Sequence, residues 1–99
     1  MLKKGKNDFE KLFKAILTLE NTEECAAFFD DVCTIQELEA LAQRLEVAFL
    51  LDEGKNYQEI ASLTNVSTAT ISRVSKCLNY GSGGYRNAID RAMERGEIK

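Results

Sequence analysis

The chain has 99 residues, no proline, no histidine and no tryptophan, and a formal net charge of −3. Such a length holds one domain around one core, and a negative balance excludes indiscriminate attraction to nucleic acid. Without histidine, clustered metal ligands or a nucleophile motif the sequence offers no enzyme site, so neither metal nor cofactor is expected. Abundant Leu, Ala, Glu, Lys and Ile, with no alternating β-branched run between turn residues, predict an all-α domain. No stretch approaches the roughly 18 apolar residues of a membrane span. The Lys-rich start lacks the apolar run and cleavage site of a signal peptide, so a cytoplasmic location is expected.

Residues 1–7 read as a flexible basic arm preceding a single domain over residues 8–99. From Asp8, a plausible cap, Phe9, Leu12, Phe13, Ile16, Leu17 and Leu19 fit an amphipathic helix that Asn21-Thr22 ends. A second, aromatic-rich helix then carries Glu23 and Glu24 at its dipole-favoured start and presents Ala26, Phe28, Phe29 and Val32. Thr34-Ile35-Gln36-Glu37 is a capping box. Beyond it Ile35, Leu38, Leu41, Ala42, Leu45, Ala48 and Phe49 form a long apolar stripe that Gly54 stops, widened by Val47, Leu50 and Leu51. A chain this small rarely covers so broad a surface alone, which predicts an obligate homodimer. A monomer whose first two helices cover the surplus is the alternative.

Residues 57–78 read as a helix-turn-helix. Asn56 and Glu59 make a second capping box, Ile60 and Leu63 face inward, and small Ala61 suits a close approach of helices. Asn65 occupies the turn, where positive φ favours Asn after Gly, and Val66 anchors it. Ser67 caps a second helix with Ile71, Val74 and Leu78 inward, leaving Thr68, Ala69, Ser72, Arg73 and Lys76 on other faces. Short polar side chains at its leading end suit entry into a DNA major groove. A helical hairpin serving only as core would share the apolar positions. Tyr80-Gly81-Ser82-Gly83-Gly84-Tyr85 lacks the strand and Lys-Ser/Thr of a P-loop and reads as a hinge. A last helix, Arg86 to Gly96, turns Ala88, Ile89, Ala92 and Met93 inward and Arg91 and Arg95 outward.

Charge is unevenly spread: residues 1–14 carry +3, residues 20–53 carry −9 and residues 55–99 carry +3. Basic ends on one face could dock on phosphates despite the acidic middle, which itself reads as solvated surface. Cys25, Cys33 and Cys77 are odd in number and lack CxxC spacing. They read as free, partly buried thiols of a reducing compartment; Cys77, beside Lys76, alone has a hint of the setting of a redox switch.

The order of segments, with TIQELEALAQRLEVAFLLDEG followed by YQEIASLTNVSTATISRVSKCLNYGSGGY, resembles the Trp repressor superfamily in its YerC/YecD-type branch. The likeness spans roughly residues 8–95 and is most specific between Thr34 and Tyr85. It implies an intertwined homodimer of six-helix subunits acting as a transcriptional repressor. It places Thr68, Ala69 and Ser72 at the bases, with Gln58 and Ala61 of the preceding helix near DNA; Ser67 as the helix cap and Lys76 as a phosphate contact follow from their own positions. Gln58 and Ala61 stand where the tryptophan-responsive member has basic residues, which weakens phosphate contact. Thr34, Arg44, Thr70 and Arg73 match an effector pocket. Val74 replaces a glycine there and Asp31 an apolar residue, so tryptophan is not expected as the effector. Arg44 and Arg73 could instead be locked in ion pairs with acidic neighbours. The expected partners are a palindromic double-stranded operator, a second copy of the chain and a small molecule other than tryptophan. The alternative is a protein-interaction module that docks on another regulator.

Overall fold

The computed structural model describes residues 6–96, all in helices and the short links between them. The helices are α1 (Lys6–Ile16), α2 (Thr22–Val32), α3 (Ile35–Asp52), α4 (Tyr57–Thr64), α5 (Thr68–Tyr80) and α6 (Gly84–Glu94). Contacts divide the chain into two units, one reaching to Leu38 and the other starting at Glu39.

In the first unit α1 begins at Lys6, so Asp8 lies inside the helix rather than at its cap. Nothing in Lys6-Asn7-Asp8 breaks a helix, and Gly5 is the nearest residue with poor propensity. Residues 1–5 of the expected arm lie outside the described residues. The end of α1 also falls earlier than the apolar pattern predicts. Thr18 turns its hydroxyl onto the Ala15 carbonyl at 2.6 Å, and the Thr18 and Leu19 amides bond three residues back. A hydroxyl competing for backbone partners tightens and stops the helix there, leaving Leu17 82% exposed. Asn21 caps α2 by accepting the Glu24 amide at 2.8 Å, and Phe28 and Phe29 meet edge to face, with ring centroids 5.2 Å apart.

Helix α3 starts on the predicted capping box. Thr34 Oγ1 accepts the Glu37 amide at 3.1 Å, while Glu37 Oε1 accepts the Thr34 amide at 2.8 Å. It ends in a Schellman motif at Gly54, φ 90°. The Gly54 amide bonds the Leu51 carbonyl, and the Lys55 amide bonds that of Leu50.

The second unit holds the core. Val47, Ala48 and Leu50 of α3, Ile60 of α4, Val66 of the turn, Ile71 and Val74 of α5 and Ile89 of α6 bury together, with Ala61, Leu78 and Tyr85 packed around them. Leu63 and Met93, read as inward from periodicity, are exposed, as are Leu41 and Leu45 of the α3 stripe. Arg86 donates to Asp52 at 2.8 Å and to Asp90 at 3.1 Å, bracing the start of α6 against the end of α3. These hydrogen bonds raise the guanidinium pKa, Asp52 contributing first.

Candidate nucleic-acid interface

The interface is built by three local devices. Asn56 caps α4 reciprocally with Glu59: its Oδ1 accepts the Glu59 amide at 2.9 Å, and Glu59 Oε1 accepts the Asn56 amide at 3.0 Å. Asn65 then takes the left-handed conformation at φ 60°, ψ 22°, with its amide on the Ala61 carbonyl. It is the one non-glycine residue with positive φ among the described residues. Such a residue turns the chain sharply without a loop, and Asn adopts that conformation at less cost than other side chains. Thr64 supports the turn, donating to the Ile60 carbonyl at 2.7 Å and accepting the Val66 amide at 3.2 Å. Finally Ser67 caps α5. Its Oγ accepts the Thr70 amide and donates to Thr70 Oγ1, both at 3.2 Å.

Burying Ile71 and Val74 fixes the rotation of α5 about its axis and leaves Thr68, Ala69, Ser72 and Lys76 exposed, with Ser67 at the leading end. Gln58 is exposed on α4. Ala61 is half-buried against the core, where its small side chain permits the close approach of α4. The leading half of α5 thus presents hydroxyl and methyl groups on a short, polar surface. Such a surface can approach base edges closely, with Lys76 further along as a phosphate contact.

Behind that surface lies a cavity of about 390 Å³ lined by Arg44, Thr70, Arg73, Val74, Cys77 and Tyr85. Four of the five residues expected in an effector pocket therefore share one cavity. The fifth, Thr34, belongs to the first unit and caps α3; Asp31 belongs to the same unit and is exposed. Within the chain, the ion pairs among the described residues are Lys14 with Glu10 and Arg86 with Asp52 and Asp90, and none of them involves Arg44 or Arg73. Burial raises the Tyr85 phenol above its ordinary pKa, Cys77 adding to the shift and Arg44 opposing it, so the phenol stays a neutral donor. Cys77 and Tyr85 were not expected here. Cys77 follows Thr70 and Arg73 at helical spacing and could have been found from it; Tyr85 arrives on another helix and carries no local signal. All three cysteines are free. Cys33 is half-buried, but Cys25 and Cys77 are exposed, against the expectation of partly buried thiols. Among the described residues no group of three or more potential ligands could hold a metal ion, and no helix is long and apolar enough to cross a membrane.

The family model described as Trp repressor protein matches residues 7–93. The chain belongs to the Trp repressor family. Within it, the chain is 55% identical over 87 residues to the uncharacterized protein YerC of Bacillus subtilis (strain 168), covering 88% of this chain and 84% of that one. The crystal structure of a TrpR like protein from Eubacterium eligens ATCC 27750 superposes with a TM-score of 0.82 at 50% identity, over 86% of this chain and 88% of that chain. A solved Staphylococcus aureus chain gives 0.83 at 48%, over 89% and 87%. These likenesses establish the six-helix TrpR-like fold and its helix-turn-helix for this member.

Proposed function

We propose that this Trp repressor family member is a sequence-specific DNA-binding transcriptional regulator, a repressor that works as an intertwined homodimer in the cytoplasm. The observation that carries the reading is the surface of α5. Its apolar face is buried through Ile71 and Val74, while Thr68, Ala69 and Ser72 stand exposed at its leading end beside a left-handed Asn65 turn. That is the arrangement by which a recognition helix enters a major groove, and dimeric helix-turn-helix proteins, of which the Trp repressor is itself a type example, read half-sites about 34 Å apart. Dimerisation is favoured by apolar side chains left bare on both units: Leu12, Phe13, Leu17, Val32 and Ile35 on the first, Leu41, Leu45 and Leu63 on the second. Exposed apolar surface on this scale is what a second subunit would cover.

Within this reading Gln58, Ala61, Ser67, Thr68, Ala69, Ser72 and Lys76 form the DNA surface. The cavity, with Thr34 as the further member the resemblance implies, is the effector site. Tryptophan is not its ligand on this reading: Val74 lines the cavity, and the resemblance puts it where a glycine would leave room for an indole. Titration of duplex DNA between about 50 and 200 mM salt tests the reading. Affinity should fall as salt rises, and Lys76→Ala should reduce the log–log slope by about 1. Association that ignores salt and DNA sequence alike would point instead to docking on another protein.

A further inference from the structure

The side chains at the leading end of α5 leave few ways to read a base. Burial of Ile71 and Val74 turns Thr68, Ala69 and Ser72 outward together, and spacings of three and four residues put them on one side of the helix. Neighbouring hydroxyls are already spent: Thr64 donates to the Ile60 carbonyl, and Ser67 donates to Thr70. In the major groove guanine is read by Arg or Lys, adenine by Asn or Gln, cytosine by Asp or Glu, and the methyl of thymine by an apolar group such as Ala or the methyl of Thr. Helix α5 holds no acid. Its one amide, Asn79, lies in the last turn and donates to the carbonyl and hydroxyl of Ser75 at 2.9 and 3.3 Å. Arg73 lines the cavity behind the helix. Lys76 lies about 12 Å along the axis from Thr68, at roughly 1.5 Å per residue. What remains at the leading end is the methyls of Thr68 and Ala69 and the hydroxyls of Thr68 and Ser72, and a hydroxyl discriminates poorly between bases.

We propose that the leading end of α5 reads the C5-methyl group of pyrimidines, so that each half-site is specified by thymines packed against the methyls of Thr68 and Ala69 rather than by a guanine held by a cationic fork. The inference rests on the DNA-binding reading, and it adds which bases carry the specificity. Gln58, the one amide on the proposed DNA surface, prefers adenine, the partner of thymine, and so favours the same base pairs. Methyl contacts draw on removal of apolar surface from water, whereas phosphate contacts draw on counterion release. Salt should therefore weaken binding to every duplex and leave the preference for thymine unchanged. 5-Methylcytosine carries the same methyl in the same groove, and the test below separates the two sources.

The test is selection from random duplex DNA by the full chain, followed by titration of the selected duplex and its base analogues. Thymine is expected at one or more positions of each half-site. Replacing those thymines by deoxyuridine removes the methyl alone and should weaken binding about fourfold per methyl, the change that burial of one methyl-sized group supports. The loss should be equal at about 50 and 200 mM salt. Thr68→Ser keeps the hydroxyl and removes the methyl, so it should abolish the preference for thymine over deoxyuridine at one position of each half-site; Ala69→Gly should do so at another. A thermal melt shows that each variant is folded. 5-Methylcytosine paired with guanine at the same positions identifies the source: binding close to that of thymine means that a methylated cytosine also serves, and weak binding means thymine alone. Enrichment of guanine or cytosine at the contacted positions, full affinity for the deoxyuridine duplex, or a thymine preference intact in both folded variants would overturn the proposal and leave a sequence-specific DNA reader in place. Absence of any enriched sequence would overturn the DNA reading itself, and this inference with it.

Discussion

At the scale of single residues, the turn of the helix-turn-helix depends on Asn65. Replacing it with alanine keeps the backbone at φ 60° but removes the side chain that tolerates it, so Asn65→Ala should cost about 1–2 kcal/mol. Asn65→Gly should be close to neutral, and the urea midpoint at constant slope reads the difference. On the recognition helix two classes of change should separate. Thr68→Ala or Ser72→Ala should alter base preference among competing duplexes, whereas Lys76→Ala should weaken all duplexes alike. If neither class touches affinity, the exposed face of α5 is not the reading surface. Residues of this kind were legible because their chemistry is local: Asn56 and Ser67 accept amides three residues on, and the Asn65 amide donates to a carbonyl four residues back. Arg86 and Tyr85 were not, since each matters through a neighbour that only the fold supplies.

At the scale of elements, hydrophobic periodicity identified each helix and misjudged how much of each stripe is covered. Capping boxes placed the starts of α3 and α4 at Thr34 and Asn56, because a side chain that satisfies an end amide leaves a signature four residues long. The limits of α1 were misplaced at both ends. Its start has no such signature, and its stop depends on Thr18 competing for the Ala15 carbonyl. Leu63 and Met93 share the spacing of buried neighbours yet stand exposed, since periodicity gives a face and not the partner that covers it. The brace between α3 and α6 is itself testable. Arg86 and its two aspartates are exposed, so Arg86→Ala should leave the thermal or urea transition nearly unchanged. A larger loss would mean that the brace holds the Gly-rich link, and through it the wall of the cavity.

At the scale of the whole molecule, the proposed function calls for two copies of the chain. A subunit of 11.1 kDa that leaves Leu17 and Leu63 largely bare should sediment at twice its mass, and Leu41→Glu should shift it toward the monomer with a loss of cooperative unfolding. On the proposed function, pairing would also offset the net charge of −3, since two recognition helices can add the phosphate contacts that one short polar surface lacks. The most direct test of the central claim is selection from random duplex DNA at about 0.1 M salt, where exposed charges are already partly screened. Enrichment of a palindrome with half-sites about one helical turn apart is expected, and loss of that enrichment in the Thr68→Ala, Ser72→Ala double variant. Retained DNA with no common sequence, or a single unpaired half-site, would contradict it.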